Sequence, residues 1–293
     1  MQRIPVDAQH GSTPEHDAMR LLSSALAAAY VLFCVAQIRA QDEGAGTPEA
    51  NPGRPTVSTP ATLTPVGYLQ FETGALYAVT SSEFQKQLGI NQVTKLTVTS
   101  RLQLLVSSEP YSYTNGAVGD ASAGNNPGDV DAGLQAVVVR GEGLKPTISL
   151  SYFRVMYSGA APDIDIGSYR RSALFLFSED IGQFHVDING IFSEQTDDRI
   201  RRAQFGQTLS ISHPLGRFTV AGELWHFTQP LTAGNAVGNL WALSYAARKN
   251  LVIDAGVDRG LTSSSTQWEG FAGFTYLLPH RLWAAHTLKQ NSK

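Results

Sequence analysis

Beyond Gly67 the chain runs in segments of about ten residues, several with a two-residue alternation of apolar and polar side chains, separated by turn-forming residues. No window in this stretch holds a helical period over three turns, whereas a half-buried strand requires a two-residue period. In one run Phe184, Val186, Ile188 and Phe192 fall on one face, with His185, Asp187 and Asn189 on the other. In the next, Phe205, Leu209 and Ile211 oppose Gln204, Thr208, Ser210 and Ser212. Phe218, Val220 and Leu224 then oppose Arg217, Thr219 and Glu223, and Trp268, Phe274 and Tyr276 oppose Gln267, Glu269 and Thr275. Strands are predicted over 67–79, 90–99, 101–107, 129–140, 145–157, 168–178, 183–192, 203–212, 216–227, 237–247, 250–258 and 267–278. All but 101–107 reach at least the about nine residues that a tilted strand needs to cross a bilayer.

The connections constrain the fold further. The stretches 80–89, 108–128, 158–167, 193–202, 228–236 and 259–266 are long; those at 100–101, 141–144, 179–182, 213–215 and 248–249 are short. Tight turns at one end and long loops at the other mark outer-membrane barrels. The expectation is therefore an all-β fold, a closed antiparallel transmembrane β-barrel of about 12 strands, as bacterial barrels have even strand numbers and periplasmic N- and C-termini. A soluble lipocalin-like or jelly-roll sandwich is the competing architecture, but nothing in such a fold keeps the connections in parity. Aromatics near strand ends (Tyr68, Tyr111, Tyr113, Tyr157, Trp225, Trp241, Trp268 and Tyr276) suit interfacial girdles, although Tyr and Trp are also common in any β structure.

Composition agrees. Charged residues make up only 16% of the chain, and mean hydropathy is close to neutral, as expected where lipid-facing and lumen-facing residues cancel. A formal charge of −3 offers no basic field for nucleic acid. The single cysteine, Cys34, excludes a disulfide framework or a cysteine-based zinc site.

Residues 21–36 (LLSSALAAAYVLFCVA) form the one long apolar run; Arg20 precedes it, and small and polar residues follow. Residues 19–40 read as a signal peptide, cleaved after Ala36 or Ala40. The run is short for a membrane anchor, and Phe33 stands where a lipidated cysteine wants a small predecessor. Residues 1–18 do not resemble a signal n-region, which makes Met19 the expected native start. The stretch 41–65 is Gly-, Pro-, Thr- and Ala-rich and reads as a flexible periplasmic tail, because it lacks apolar surface to offset its ordering entropy. The barrel is expected over 66–283, with a C-terminal extension over 284–293.

The runs KLTVTSRLQLLVS, GDVDAGLQAVVV, SALFLFSEDIGQFHVDINGIF and WEGFAGFTYLLPHRLW resemble bacterial envelope proteins of the MetA-pathway of phenol degradation family. The likeness extends over residues 65–283. It implies an outer-membrane barrel that acts as a transporter, with a loose link to the uptake of aromatic compounds. It carries no catalytic residue.

Polar-face residues that would line the lumen are Lys95, Asp131, Gln135, Arg154, Asp187, Asn189, Gln204, Glu223, Asp254, Asp258 and Glu269. Both charge signs are present, which argues against a strongly selective ring. The same residues also suit a structural network that leaves the lumen occluded. A rim enzyme needs a cluster, and His185, His213, His226, His280 and His286 offer none by spacing; His226 with Ser193, Asp197 and Asp198 is the least remote arrangement. The pairs Asp129/Asp131 and Asp163/Asp165 lack a calcium-loop context, so neither a metal nor another cofactor is expected. Asp197, Asp198, Arg199, Arg201 and Arg202 make a charged outer loop, suited either to solubility or to lipopolysaccharide phosphates. The expected function is passive passage of a small, hydrophobic or aromatic solute. The expected partners are outer-membrane lipid, lipopolysaccharide and the barrel-assembly machinery.

Overall fold

A computed structural model describes residues 48–116, 123–162, 164, 169–197, 200–231 and 234–283. The strands are β1 (Leu69–Val79), β2 (Lys86–Thr99), β3 (Leu102–Asn115), β4 (Gly124–Asn126), β5 (Val130–Val139), β6 (Thr147–Tyr157) and β7 (Tyr169–Ile181). They continue with β8 (Phe184–Asp197), β9 (Ile200–Leu215), β10 (Phe218–Phe227), β11 (Ala236–Arg248), β12 (Leu251–Gly260) and β13 (Trp268–Leu277). Each wall strand pairs antiparallel with its chain neighbour, and β1 pairs with β13, which closes the ring. The short β4 lies only against the end of β3, so twelve strands form the wall. No helix occurs among the described residues.

Burial along the strands shows why the two-residue period was needed. In β9, Gln204, Gly206, Thr208 and Ser210 are buried, and Phe205, Gln207, Leu209 and Ile211 between them are exposed. Exposed large apolar side chains recur around the wall, among them Leu104, Leu134, Leu150, Phe175, Ile188, Leu224, Leu243, Ile253 and Phe274. In water such a continuous apolar surface would drive association, whereas hydrocarbon is its natural solvent.

At one end the connections are 100–101, 140–146, 182–183, 216–217 and 249–250. The start of β1 and the end of β13 lie at this end too. The two-residue turn at 216–217 opens on Gly216 at φ 68°, in the left-handed region that tight hairpins require. The opposite end carries 80–85, 116–129, 158–168, 198–199, 228–235 and 261–267. The expected long connection over 193–202 is corrected to a tight one, because β8 and β9 continue their pairing up to Asp197 and Ile200. The expected loop over 108–128 likewise shortens, as β3 runs on to Asn115. The readings for residues 1–40, Cys34, Asp163, Asp165, Asp198, Arg199, His286 and 284–293 lie outside the described residues.

Toward the long-loop end two apolar clusters are buried among polar side chains such as Gln87, Thr114 and Ser193. Leu76, Ala78 and Phe84 form one buried cluster, and Trp225, Phe227 and Ala236 form another. Trp225 lies across from Gly238 on β11, and a Cβ on Gly238 would fall 2.2 Å from the indole. Gly238→Val should therefore displace the ring and lower stability by about 1–3 kcal/mol, as overpacking does. The midpoint of heat-modifiable gel migration measures this, and an unchanged midpoint would show that the indole has room to move.

Candidate functional site

The lumen is the candidate site, and among the described residues it holds the segment that precedes β1. Residues 48–65, which the sequence reading makes part of a flexible tail, form a hydrogen-bonded strap inside the barrel. The segment carries few apolar groups, so apolar burial cannot order it. Inward polar side chains do so instead, in an enclosed space where hydrogen bonds strengthen and unmade ones are costly. Pro52, Pro55, Pro60 and Pro65 reduce the entropy lost on ordering.

The strap follows the inner wall almost strand by strand. At β1, Gln70 accepts from the Asn51 N–H at 2.9 Å and donates to the Asn51 carbonyl, and Glu72 accepts from the Gly53 N–H at 3.0 Å. Arg54 then pairs with Asp254 on β12 at 3.1 Å and lies against the Phe271 ring on β13. On β10, Glu223 takes three donors: the Val57 and Ser58 N–H groups, each at 2.7 Å, and the Ser58 hydroxyl at 2.5 Å. The Ser58 hydroxyl also lies 2.7 Å from that of Thr208 on β9. Asn189 on β8 holds both the N–H and the carbonyl of Thr59. Next, Ser178 on β7 accepts from the Ala61 N–H, and Ser149 on β6 donates to the Ala61 carbonyl. Gln135 on β5 donates to the Pro60 carbonyl at 3.0 Å. Thr64 closes the circuit on Gln103 of β3 and Thr97 of β2.

Two chambers lie against this strap. One, of about 320 Å³, is lined by Glu109, Asp258 and Glu269 together with Leu76, Trp225, Phe227, Leu240 and Phe271. The other, of about 230 Å³, is lined by Asn51, Pro60, His185, Asp187 and the short-turn ends of β9 to β12. Arg54, Pro55 and Thr56 line both, so these three residues form the partition between them. Outside the strands at the long-loop end, burial raises the Asp129 carboxyl pKa above its ordinary value, partly offset by the Gly159 N–H that it accepts.

Most of the expected lumen residues face inward. Lys95 is buried in an ion pair with Glu72. Asp131 accepts from Ser107, Asp187 from Ser178, and Asp258 from the Trp225 indole at 2.7 Å. Gln204 donates to the Thr228 carbonyl, and Glu269 lines the larger chamber. Gln135, Asn189, Glu223 and Asp254 hold the strap. Arg154 is the exception: it is exposed on the outer face of β6, in phase with Leu150 and Tyr152. The inner face of β6 turns apolar above Ser151, so polarity alone assigned Arg154 to the wrong side. The residues missed were those of the strap, together with Gln70, Glu72, Thr97, Gln103, Ser149, Ser178 and Thr208. The wall residues among them carry the same alternation as those named, but nothing in the strap sequence reveals a partner.

Among the described residues, His226 and Ser193 do not come together. His226 lies on the outer face beside Gln207 at 2.6 Å, and Ser193 is buried inward against Ser172. His185 sits 2.6 Å from Asp180 and 3.3 Å from Asp187, near the 182–183 turn. No group of three or more metal-ligating side chains is found among the described residues.

No family model and no curated protein sequence matches the chain. Among solved structures, the COG4313 outer membrane channel from Pseudomonas putida F1 matches with a TM-score of 0.56 and 15% identity, over 78% of this chain and all of that one. The KdgM porin matches at 0.47 and 12% identity, over 71% of this chain and 98% of that one. The same porin in complex with oligogalacturonate gives 0.48 and 11% identity. The first of these matches shows the fold to be that of an outer-membrane β-barrel.

Proposed function

We propose that the protein is an outer-membrane channel through which a small solute crosses passively, with the strap as its constriction. One observation carries this reading: the two lumen chambers share the wall formed by Arg54, Pro55 and Thr56. A barrel built only as a wall has no need of open chambers on both sides of a polar partition. Trp225, Phe227 and Phe271, set beside carboxylates, suit an aromatic solute with a polar group. The sequence resemblance to the MetA-pathway family, although no family model matches the chain, implies a loose link to the same class. In this reading the signal peptide over 19–40 exports the chain, the barrel-assembly machinery inserts it, and the N- and C-termini of the barrel both lie in the periplasm.

The second reading is a structural or surface-interaction barrel with an occluded lumen, favoured by the number of hydrogen bonds that fix the strap. Planar-bilayer recording separates the two. A channel with this constriction should show small, discrete openings and admit small solutes into proteoliposomes. A barrel that neither conducts nor admits solute is a wall.

A further inference from the structure

Arg154 belongs to a second feature, on the outside of the barrel. Arg154 on β6 is the direct register partner of Arg171 on β7, and Arg171 is the partner of Glu194 on β8. Arg201 on β9 reaches the same carboxylate. Glu194 holds the Arg171 Nε at 2.7 Å and the Arg201 Nη1 at 3.5 Å. Three guanidinium groups and one carboxylate thus form a line across four neighbouring strands. The line is exposed: the Arg171 and Arg201 side chains retain 51% and 59% of their accessible surface. All four residues lie toward the long-loop ends of their strands. On the same outer face, one step further into the wall, stand Tyr152, Ala173, Phe192 and Phe205.

This position decides the partner. A guanidinium on the lipid face costs about 2–4 kcal/mol at the bilayer midplane and close to nothing at its edge, so the line marks the level of the headgroups. What meets a cation there is a lipid headgroup. Each guanidinium carries five N–H donors in a planar fork that matches phosphate oxygens, and one bond to Glu194 leaves most of them for another acceptor. Glu194 pre-orients two of the three groups, which lowers the entropy lost when a ligand orders them.

We propose that Arg154, Arg171 and Arg201 bind the phosphate groups of a phosphorylated glycolipid, the lipopolysaccharide type, in the outer leaflet. The site rests on the membrane reading above but not on conduction, so it stands or falls separately from the channel.

The test is lipid binding by the purified full-length barrel, compared with R154Q/R171Q/R201Q. Phosphorylated lipid A, the same glycolipid after phosphatase treatment and phosphatidylglycerol are titrated while bound lipid is read by native mass spectrometry. Phosphorylated lipid A should bind at least about tenfold more tightly than either comparison lipid, and the triple variant should lose that preference. Equal binding of the phosphatase-treated form would overturn a phosphate site. Equal binding of phosphatidylglycerol would overturn the glycolipid assignment, and undiminished preference in the triple variant would overturn the residues. If the triple variant does not migrate as a folded barrel, R154Q alone decides the matter, because Arg154 is not an ion-pair partner of Glu194. Its binding should fall several-fold, and unchanged binding would remove Arg154 from the site.

Discussion

Glu223→Ala should open the barrel without unfolding it. The carboxylate accepts two backbone N–H groups and one hydroxyl from Val57 and Ser58, and is almost fully buried. An alanine leaves those donors unpaired beside the Trp225–Phe227 cluster, at about 1–3 kcal/mol for each buried group. No wall strand depends on them, since the β10 ladders to β9 and β11 are made by backbone groups alone. The cost therefore falls on the docked state of the strap. The expected result is a folded barrel by heat-modifiable migration, with conductance several-fold above that of the parent and a strap newly open to protease. Glu223→Gln keeps one carbonyl acceptor and should lie between the two. A Glu223→Ala barrel with the parent's conductance and protease resistance would show that the strap is held elsewhere.

Lys95→Met should have the opposite signature, striking the wall as well as the strap. Lys95 and Glu72 are 5% and 2% exposed and form a buried ion pair on adjacent strands. Removing the cation strands a carboxylate that Gly53 and Gln70 only partly satisfy. Breaking a buried pair from one side costs about 3–5 kcal/mol, whereas replacing both partners by apolar residues is often neutral. Lys95→Met should thus lower the urea midpoint of the barrel substantially, and Lys95→Met with Glu72→Leu should recover most of the loss. Equal losses in the single and double variants would mean that packing volume, and not the stranded charge, sets the cost.

These two residues also mark how far the sequence could be read. The wall was legible because its two solvents differ so sharply. A strand between lipid and a polar lumen must alternate, as β8, β9 and β10 do, and strand number and closure follow from turn spacing. Alternation identified Lys95, Gln135, Asn189, Glu223 and Asp254 as inward residues. It failed at Arg154, because the rule reverses where β6 leaves the hydrocarbon: Phe153 and Val155 turn inward, and the arginine meets the headgroup level outside. Long-range pairing was not legible. The bond between Ser58 and Glu223 spans 165 residues, and Pro- and Thr-rich sequence looks the same whether it floats free or is held by a lumen complementary to it. The connection over 193–202 was misjudged for a related reason: a polar, charged stretch reads as loop, yet β8 and β9 carry it as paired strand beyond the apolar band.

In the proposed function the strap is the constriction of a channel. Single-channel conductance of the barrel lacking residues 48–64, set against the complete chain in the same planar bilayers, tests it most directly. The shortened barrel should conduct at least about fivefold more than the parent and admit larger solutes, because Arg54, Pro55 and Thr56 line both chambers. Equal conductance in the two proteins, with both folded, would contradict it.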